Sequence, residues 1–209
     1  MKRAILFLVL FAVATVCMAQ MTSVQAYLDD PGRETFRVAV DSLTQAIQSG
    51  ENPSQTKLYL MYILDNEVSL LKEDLLAGAD SLDTGGRFSL GNVLLGMRDY
   101  TAAIKIYAGL NKDYPNWSCP WRHKGQALYE MKDYTEAERA LFQAISTNEE
   151  HYDAYIWLAK TQKELGKYPQ ALENLEKARK LNPNWEESED NVFTQAEIDE
   201  LTAELRSKL

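Results

Sequence analysis

The sequence predicts an all-α fold, an α-α superhelix (solenoid) of antiparallel helix hairpins. Three observations carry that expectation. Between Thr84 and Trp185 one residue pattern returns every 34 positions, with Tyr100, Tyr134 and Tyr168 in phase with Ala103, Ala137 and Ala171. Each period splits into two amphipathic runs around a short polar turn. No proline interrupts a helix in this stretch, and Pro169 falls in a first turn, where the missing N–H costs little.

The chain of 209 residues has an apolar fraction of 45%, enough for a packed core, and a formal charge of −9. The charge disfavours nucleic acid or an anionic membrane as partner, since either needs a basic surface. Met1–Ala19 reads as a signal peptide: Lys2 and Arg3, an apolar run from Ala4 to Val16, then a small residue before Gln20. That run is shorter than the ~20 residues of a spanning helix, so no stable membrane span is expected after cleavage. The expected location is the periplasm or outside the cell. A lipid anchor at Cys17 is the alternative, on a poor lipobox, Ala14-Thr15-Val16. Cleavage after Ala19 leaves Cys119 as the single thiol, which excludes an internal disulfide and reads as buried in the helix packing.

In chain order, Gln20–Asp30 shows little pattern and is expected to be poorly ordered. Pro31–Gly50 forms a helix with Phe36, Ala39, Val40, Leu43, Ala46 and Ile47 on one stripe and Val38 off it. Leu58–Leu64, apolar almost all round, reads as a buried helix. A turn at Asp65-Asn66 precedes a third helix with Leu70, Leu71, Leu75 and Leu76 inward. Pro53–Asp83 is thereby read as a diverged repeat, a hairpin ending at the break Asp83-Thr84-Gly85-Gly86.

In the repeats, Gly91, Gly125 and Ala159 keep one site small, while Tyr107, Leu141 and Leu175 keep another large; Leu94 and Leu128 hold a third, with Gln162 the exception. Gly125 is expected to face Ala137 near the turn. Glu186–Asp190 is an acidic linker. Thr194 and Glu197 form a capping box opening a final helix whose Ala196, Ile198, Leu201 and Leu205 make one buried face, as the end of an open stack requires. The division is 1–19 signal peptide, 20–83 N-terminal helices with the diverged repeat, 84–117, 118–151 and 152–185 the three repeats, and 186–209 linker and capping helix.

The repeat residues resemble the tetratricopeptide repeat, in a protein of exported bacterial type. Trp121, Gly125, Leu128, Tyr134, Ala137, Leu141 and Ala144 match in the second repeat. Tyr155, Leu158, Ala159, Tyr168, Ala171, Leu175, Ala178 and Pro183 match in the third. The first has Leu90, Gly91, Leu94, Tyr100, Ala103, Tyr107 and Pro115, with Arg87 in place of the leading aromatic and Leu110 in place of the last alanine. The resemblance implies that the first helix of each hairpin lines a concave groove. There it places Phe88, Asn92 and Leu95, then Arg122, Gln126 and Tyr129, then Ile156, Lys160 and Lys163. Some family members hold a peptide carboxylate with an Asn and several basic residues; only Asn92 matches that clamp, because Phe88, His123, Asp153 and Trp157 take the other places.

The function expected is an exported scaffold that binds a protein or peptide through this groove, with Arg122, Lys160 and Lys163 favouring an acidic segment. The alternatives are a structural subunit or homo-oligomer of a cell-envelope assembly and, more weakly, a solenoid binding a small ligand or glycan. No catalytic motif, cofactor motif or zinc-type Cys pair is present. His151 beside Glu149, Glu150 and Asp153 reads as a solvated loop histidine rather than a metal ligand. Trp117, Trp121, Tyr155 and Trp185 fall in repeat phase and read as packing residues.

Overall fold

The structure, a computed structural model, describes residues 18–50, 53–183 and 193–209. The signal segment to Cys17, Trp185 and the acidic linker Glu186–Asp190 lie outside the described residues. Among the described residues every regular element is helical, and the chain forms two compact units, divided after Gly78.

The first unit holds α1 (Met18–Asp29), α2 (Arg33–Ser49) and α3 (Pro53–Ala77). The stretch expected to be poorly ordered is α1, anchored by Val24 and Tyr27, both buried against Ala39 and Leu43 of α2 and Tyr59 and Ile63 of α3. A stripe of so few apolar residues is too short to declare a helix from sequence. Pro31 stops α1, because the residue before a proline avoids the helical region. Gly50 ends α2 in the left-handed conformation, φ 77°, its N–H reaching Ile47 O at 3.3 Å. Val38 is exposed, off the stripe.

The hairpin expected within Pro53–Asp83 is replaced by one helix of 25 residues. Asp65-Asn66 makes no turn. The Asn66 amide donates to the Tyr27 hydroxyl at 3.1 Å, and that hydroxyl donates to Glu67 Oε2 at 2.7 Å. Asn66 is thus used in tertiary pairing, and no glycine or internal proline breaks the run. The inward face carries Thr56, Tyr59 and Ile63; Leu58, Leu64, Leu70, Leu71 and Leu75, expected inside, are exposed, and Leu76 is half-buried.

The second unit is a stack of paired helices after a 3-10 turn, Ala79–Ser81. The pairs are α4 (Thr84–Gly96) with α5 (Tyr100–Asp113), α6 (Ser118–Glu130) with α7 (Tyr134–Thr147), and α8 (Tyr152–Glu164) with α9 (Tyr168–Leu181). Each helix packs on the next in sequence, and the first helices α4, α6 and α8 also touch in succession. The break expected at Thr84-Gly85-Gly86 is instead the first turn of α4, because Asp83 caps it by accepting the Gly86 N–H at 2.7 Å.

The small and large sites of the repeat face each other. A Cβ on Gly91 would lie 2.6 Å from Tyr107 Cε1, and one on Gly125 would lie 2.5 Å from Leu141 Cγ. The atoms nearest Gly125 thus belong to Leu141, the large site of the same hairpin. In the third hairpin the same two sites hold Ala159 and Leu175, both buried. Gln162 is buried as well, and the polar exception is satisfied: Asn174 Nδ2 donates to its Oε1 at 2.7 Å.

α10 (Gln195–Arg206) closes the stack through Ile198, Leu201 and Leu205 on the third hairpin, while Ala196 is exposed. The capping box is formed: Thr194 N donates to Glu197 Oε2 at 2.7 Å, and Glu197 N to Thr194 Oγ1 at 3.3 Å.

Candidate functional site

The nine expected lining residues lie on α4, α6 and α8, and the structure sorts them by what they are already bonded to. On α4, Phe88 is half-buried, its ring 4.8 Å from Trp117 and 5.2 Å from His123. Asn92 is exposed, and its Oδ1 accepts the Tyr107 hydroxyl at 2.8 Å. Leu95 is half-buried.

On α6, Arg122 is only 6% exposed. Its Nε donates to Asp153 Oδ2 at 2.5 Å, its Nη2 closes on the same oxygen, and its Nη1 donates to Gln126 Oε1 at 2.8 Å. The second Asp153 oxygen lies 3.0 Å from His151 Nε2. Burial pushes the Asp153 carboxyl up, but His151 and Arg122 outweigh it and hold it down at about 2. Arg122 is therefore not a free cation for a ligand. His151 is paired in the structure rather than solvated. Tyr129 is half-buried, its phenol pushed up to about 12 chiefly by burial.

On α8, Ile156 is fully buried, at the base of a cleft that Lys160 and Lys163 form with Phe193 and α10. The Lys160 ammonium sits 4.5 Å from the Trp157 ring centre, 5.2 Å from Phe193 and 5.4 Å from Tyr129. Burial lowers its pKa against the opposing pull of Glu130 and Glu197. Lys163 Nζ donates to Glu204 Oε2 of α10 at 2.9 Å. Burial works to lower its pKa as well, and the Glu204 carboxylate reverses that to a net rise. The three expected cations are thus compensated inside the chain, by Asp153, by aromatic faces and by Glu204.

The residues at the clamp places have structural work instead. Asp153 pairs with Arg122; His123 packs edge-on to Phe88 and beside Tyr107, the three rings in mutual contact, with Nδ1 2.9 Å from Cys119 O; Trp157 carries Lys160. Burial first, then the nearby Arg122 charge, lowers the His123 pKa to about 4. Sequence reasoning missed Asp153 and Phe193 as partners of the groove residues. Asp153 carried a signal, being a carboxylate one repeat less three residues from Arg122's position. Phe193 carried none, because it follows the linker. The Cys119 thiol is half-buried and free. Among the described residues no group of three His, Cys, Asp or Glu is placed to hold a metal ion, and no helix is long and apolar enough to cross a membrane. A cavity of about 330 Å³ between α9 and α10 is lined by aliphatic and charged side chains, including Leu172, Arg179 and Asp199, with no aromatic wall.

Tetratricopeptide-repeat family models match residues 128–189 and residues 87–116. The chain carries tetratricopeptide repeats. The solved structures it resembles are tetratricopeptide domains. The complex of the yeast Sti1 TPR2B domain with pHsp70 shares 24% identity at a TM-score of 0.51, over 57% of this chain and 92% of that one. The Arabidopsis OM64 TPR domain shares 18% at 0.52, over 59% and 93%. The second TPR domain of human RPAP3, in complex with the HSP70 peptide SGPTIEEVD, shares 19% at 0.50, over 57% and 92%. At these identities the likeness is one of fold. Comparison with curated proteins yields no match. Tetratricopeptide folds are typically interaction scaffolds.

Proposed function

We propose that the chain is an exported scaffold that holds a protein partner on the face made by the first helices of its three tetratricopeptide hairpins. The observation that carries this reading is the row Asn92, Leu95, Gln126, Tyr129, Lys160 and Lys163. These side chains are half-buried or exposed, and they stand on a layer fixed by the Arg122–Asp153 pair and the Phe88–His123–Tyr107 cluster. A receptor fixed in this way loses little conformational entropy on binding. Export rests on the charge, apolar run and small residues of Met1–Ala19.

The partner segment we favour is extended and acidic. The human RPAP3 domain holds an acidic peptide, SGPTIEEVD, on the same fold. Here Lys163 and Lys160 supply the positive charge, and an incoming carboxylate takes Lys163 in exchange for Glu204. Binding through such an exchange is modest, because one ion pair replaces another.

Acidic-tailed peptides titrated into the purified chain test this reading. Asn92→Ala, Tyr129→Ala and Lys163→Glu each weaken binding, whereas Phe142→Ala, exposed on a second helix, leaves it unchanged. Arg122 is left intact, because changing it unpairs a buried aspartate. Retention of the peptide equally by all variants rejects this face as the docking surface.

A further inference from the structure

The first unit carries an apolar surface that neither its own packing nor the proposed groove uses. Along α3, Met61, Leu64, Val68, Leu71 and Leu75 follow one another at steps of three, four, three and four residues. They are 66%, 42%, 43%, 53% and 44% exposed. The inward face of α3, with Tyr59 and Ile63, is a separate stripe packed on α1 and α2. Alternating three-and-four spacing is the heptad pattern, and its complement is another helix bearing the same pattern.

Two observations identify that complement as a second copy of this chain. First, among the described residues the large exposed apolar side chains outside α3 are scattered: Val38, Val93, Met97, Tyr114, Met131, Phe142, Leu181 and Leu209, with no more than two, Val93 and Met97, in helical succession. The surface that matches an α3 stripe is therefore a second α3, as a two-fold interface requires. Second, the area suffices. Half-exposed side chains of this size leave on the order of 100 Å² each, so the five with neighbouring Leu58 present roughly 600 Å² per chain. Doubled, this is roughly 1,200 Å², the lower edge of specific interfaces. We propose that α3 is the two-fold interface of a homodimer, pairing through Met61, Leu64, Val68, Leu71 and Leu75 with the same stripe of a second copy. The groove of the second unit takes no part in this contact, so the two surfaces are tested separately.

The experiment is sedimentation of the purified chain over a range of concentrations, with its intact mass recording whether cleavage has occurred. The expected result is a concentration-dependent dimer. Leu71→Glu weakens association at least tenfold with unchanged helical circular dichroism, while Phe142→Glu has no effect. Should Leu71→Glu lose helix content, cross-linking decides: Val68→Cys in a Cys119→Ser background forms a disulfide-linked dimer under mild oxidation. A monomer at every concentration overturns the proposal, and so does a dimer that Leu71→Glu leaves intact and Val68→Cys fails to link. Peptide binding that survives loss of the dimer separates this result from the groove reading.

Discussion

Arg122 on α6 and Asp153 on α8 form a buried ion pair that ties the second hairpin to the third, with both side chains less than a tenth exposed. Removing one partner leaves the other charged and without water. Asp153→Ala is expected to destabilise the second unit by about 3–5 kcal/mol, whereas the double change Arg122→Met with Asp153→Leu is expected to be near neutral. The four tryptophans all lie beyond residue 79, so their fluorescence in urea reports this unit alone. Equal losses in the single and double variants would reject the pair as the cause.

The turns inside the hairpins repeat one backbone conformation. Arg98, Lys132 and Gly166, one period apart, have φ of 60°, 64° and 72°. A side chain in this region costs about 1–2 kcal/mol, partly offset by the entropy glycine loses on folding. Lys132→Gly should therefore stabilise by ~0.5–1 kcal/mol and Gly166→Lys should destabilise by a similar amount, read as opposite shifts of the urea midpoint.

Close approach at Gly125 gives a third test. The Cβ of Gly125→Ala would meet Leu141 Cγ, so overpacking is expected to cost about 1–3 kcal/mol. Adding Leu141→Val should recover part of that loss, because the clashing atoms withdraw. A loss unchanged by the second substitution would point to the backbone instead of the packing.

His123 sets a pH dependence. Its imidazole, neutral in the folded chain, protonates near pH 4 rather than at the ordinary 6.5, because burial and the Arg122 charge oppose the cation. Between about pH 6.5 and 4 the unfolded chain binds a proton that the folded chain does not, so stability falls as pH falls, by about 3 kcal/mol across that window. Asp153, held at about 2, adds loss of the same sign only below about pH 4. His123→Gln should flatten the first decline and leave the second, measured as urea midpoints from pH 7 to 3.

Much of the second unit was legible because a hairpin repeat writes each contact three times. Tyr107 and Leu141 sit opposite Gly91 and Gly125 at equivalent positions, and in-phase substitution exposes that relation. The first unit has no such redundancy. Asn66 reads locally as a turn residue, and only its bond to Tyr27, 39 residues away, explains why α3 continues through it. Leu71 and Leu75 read as core because hydrophobicity alone does not say which of two apolar faces of a helix is covered.

The groove shows the same limit in its charges. Sequence placed Arg122, Lys160 and Lys163 on first helices, which the repeat period dictates, but it could not see that Asp153, the Trp157 and Phe193 rings, and Glu204 meet them. By itself the sequence determined the helical class, the 34-residue period and the capping box, since these depend on spacing and on neighbours within a turn or two. Tertiary structure alone decided which cations remain available and which apolar stripe stays uncovered. Those depend on side chains brought together from distant parts of the chain, whose pairing energies no local pattern encodes.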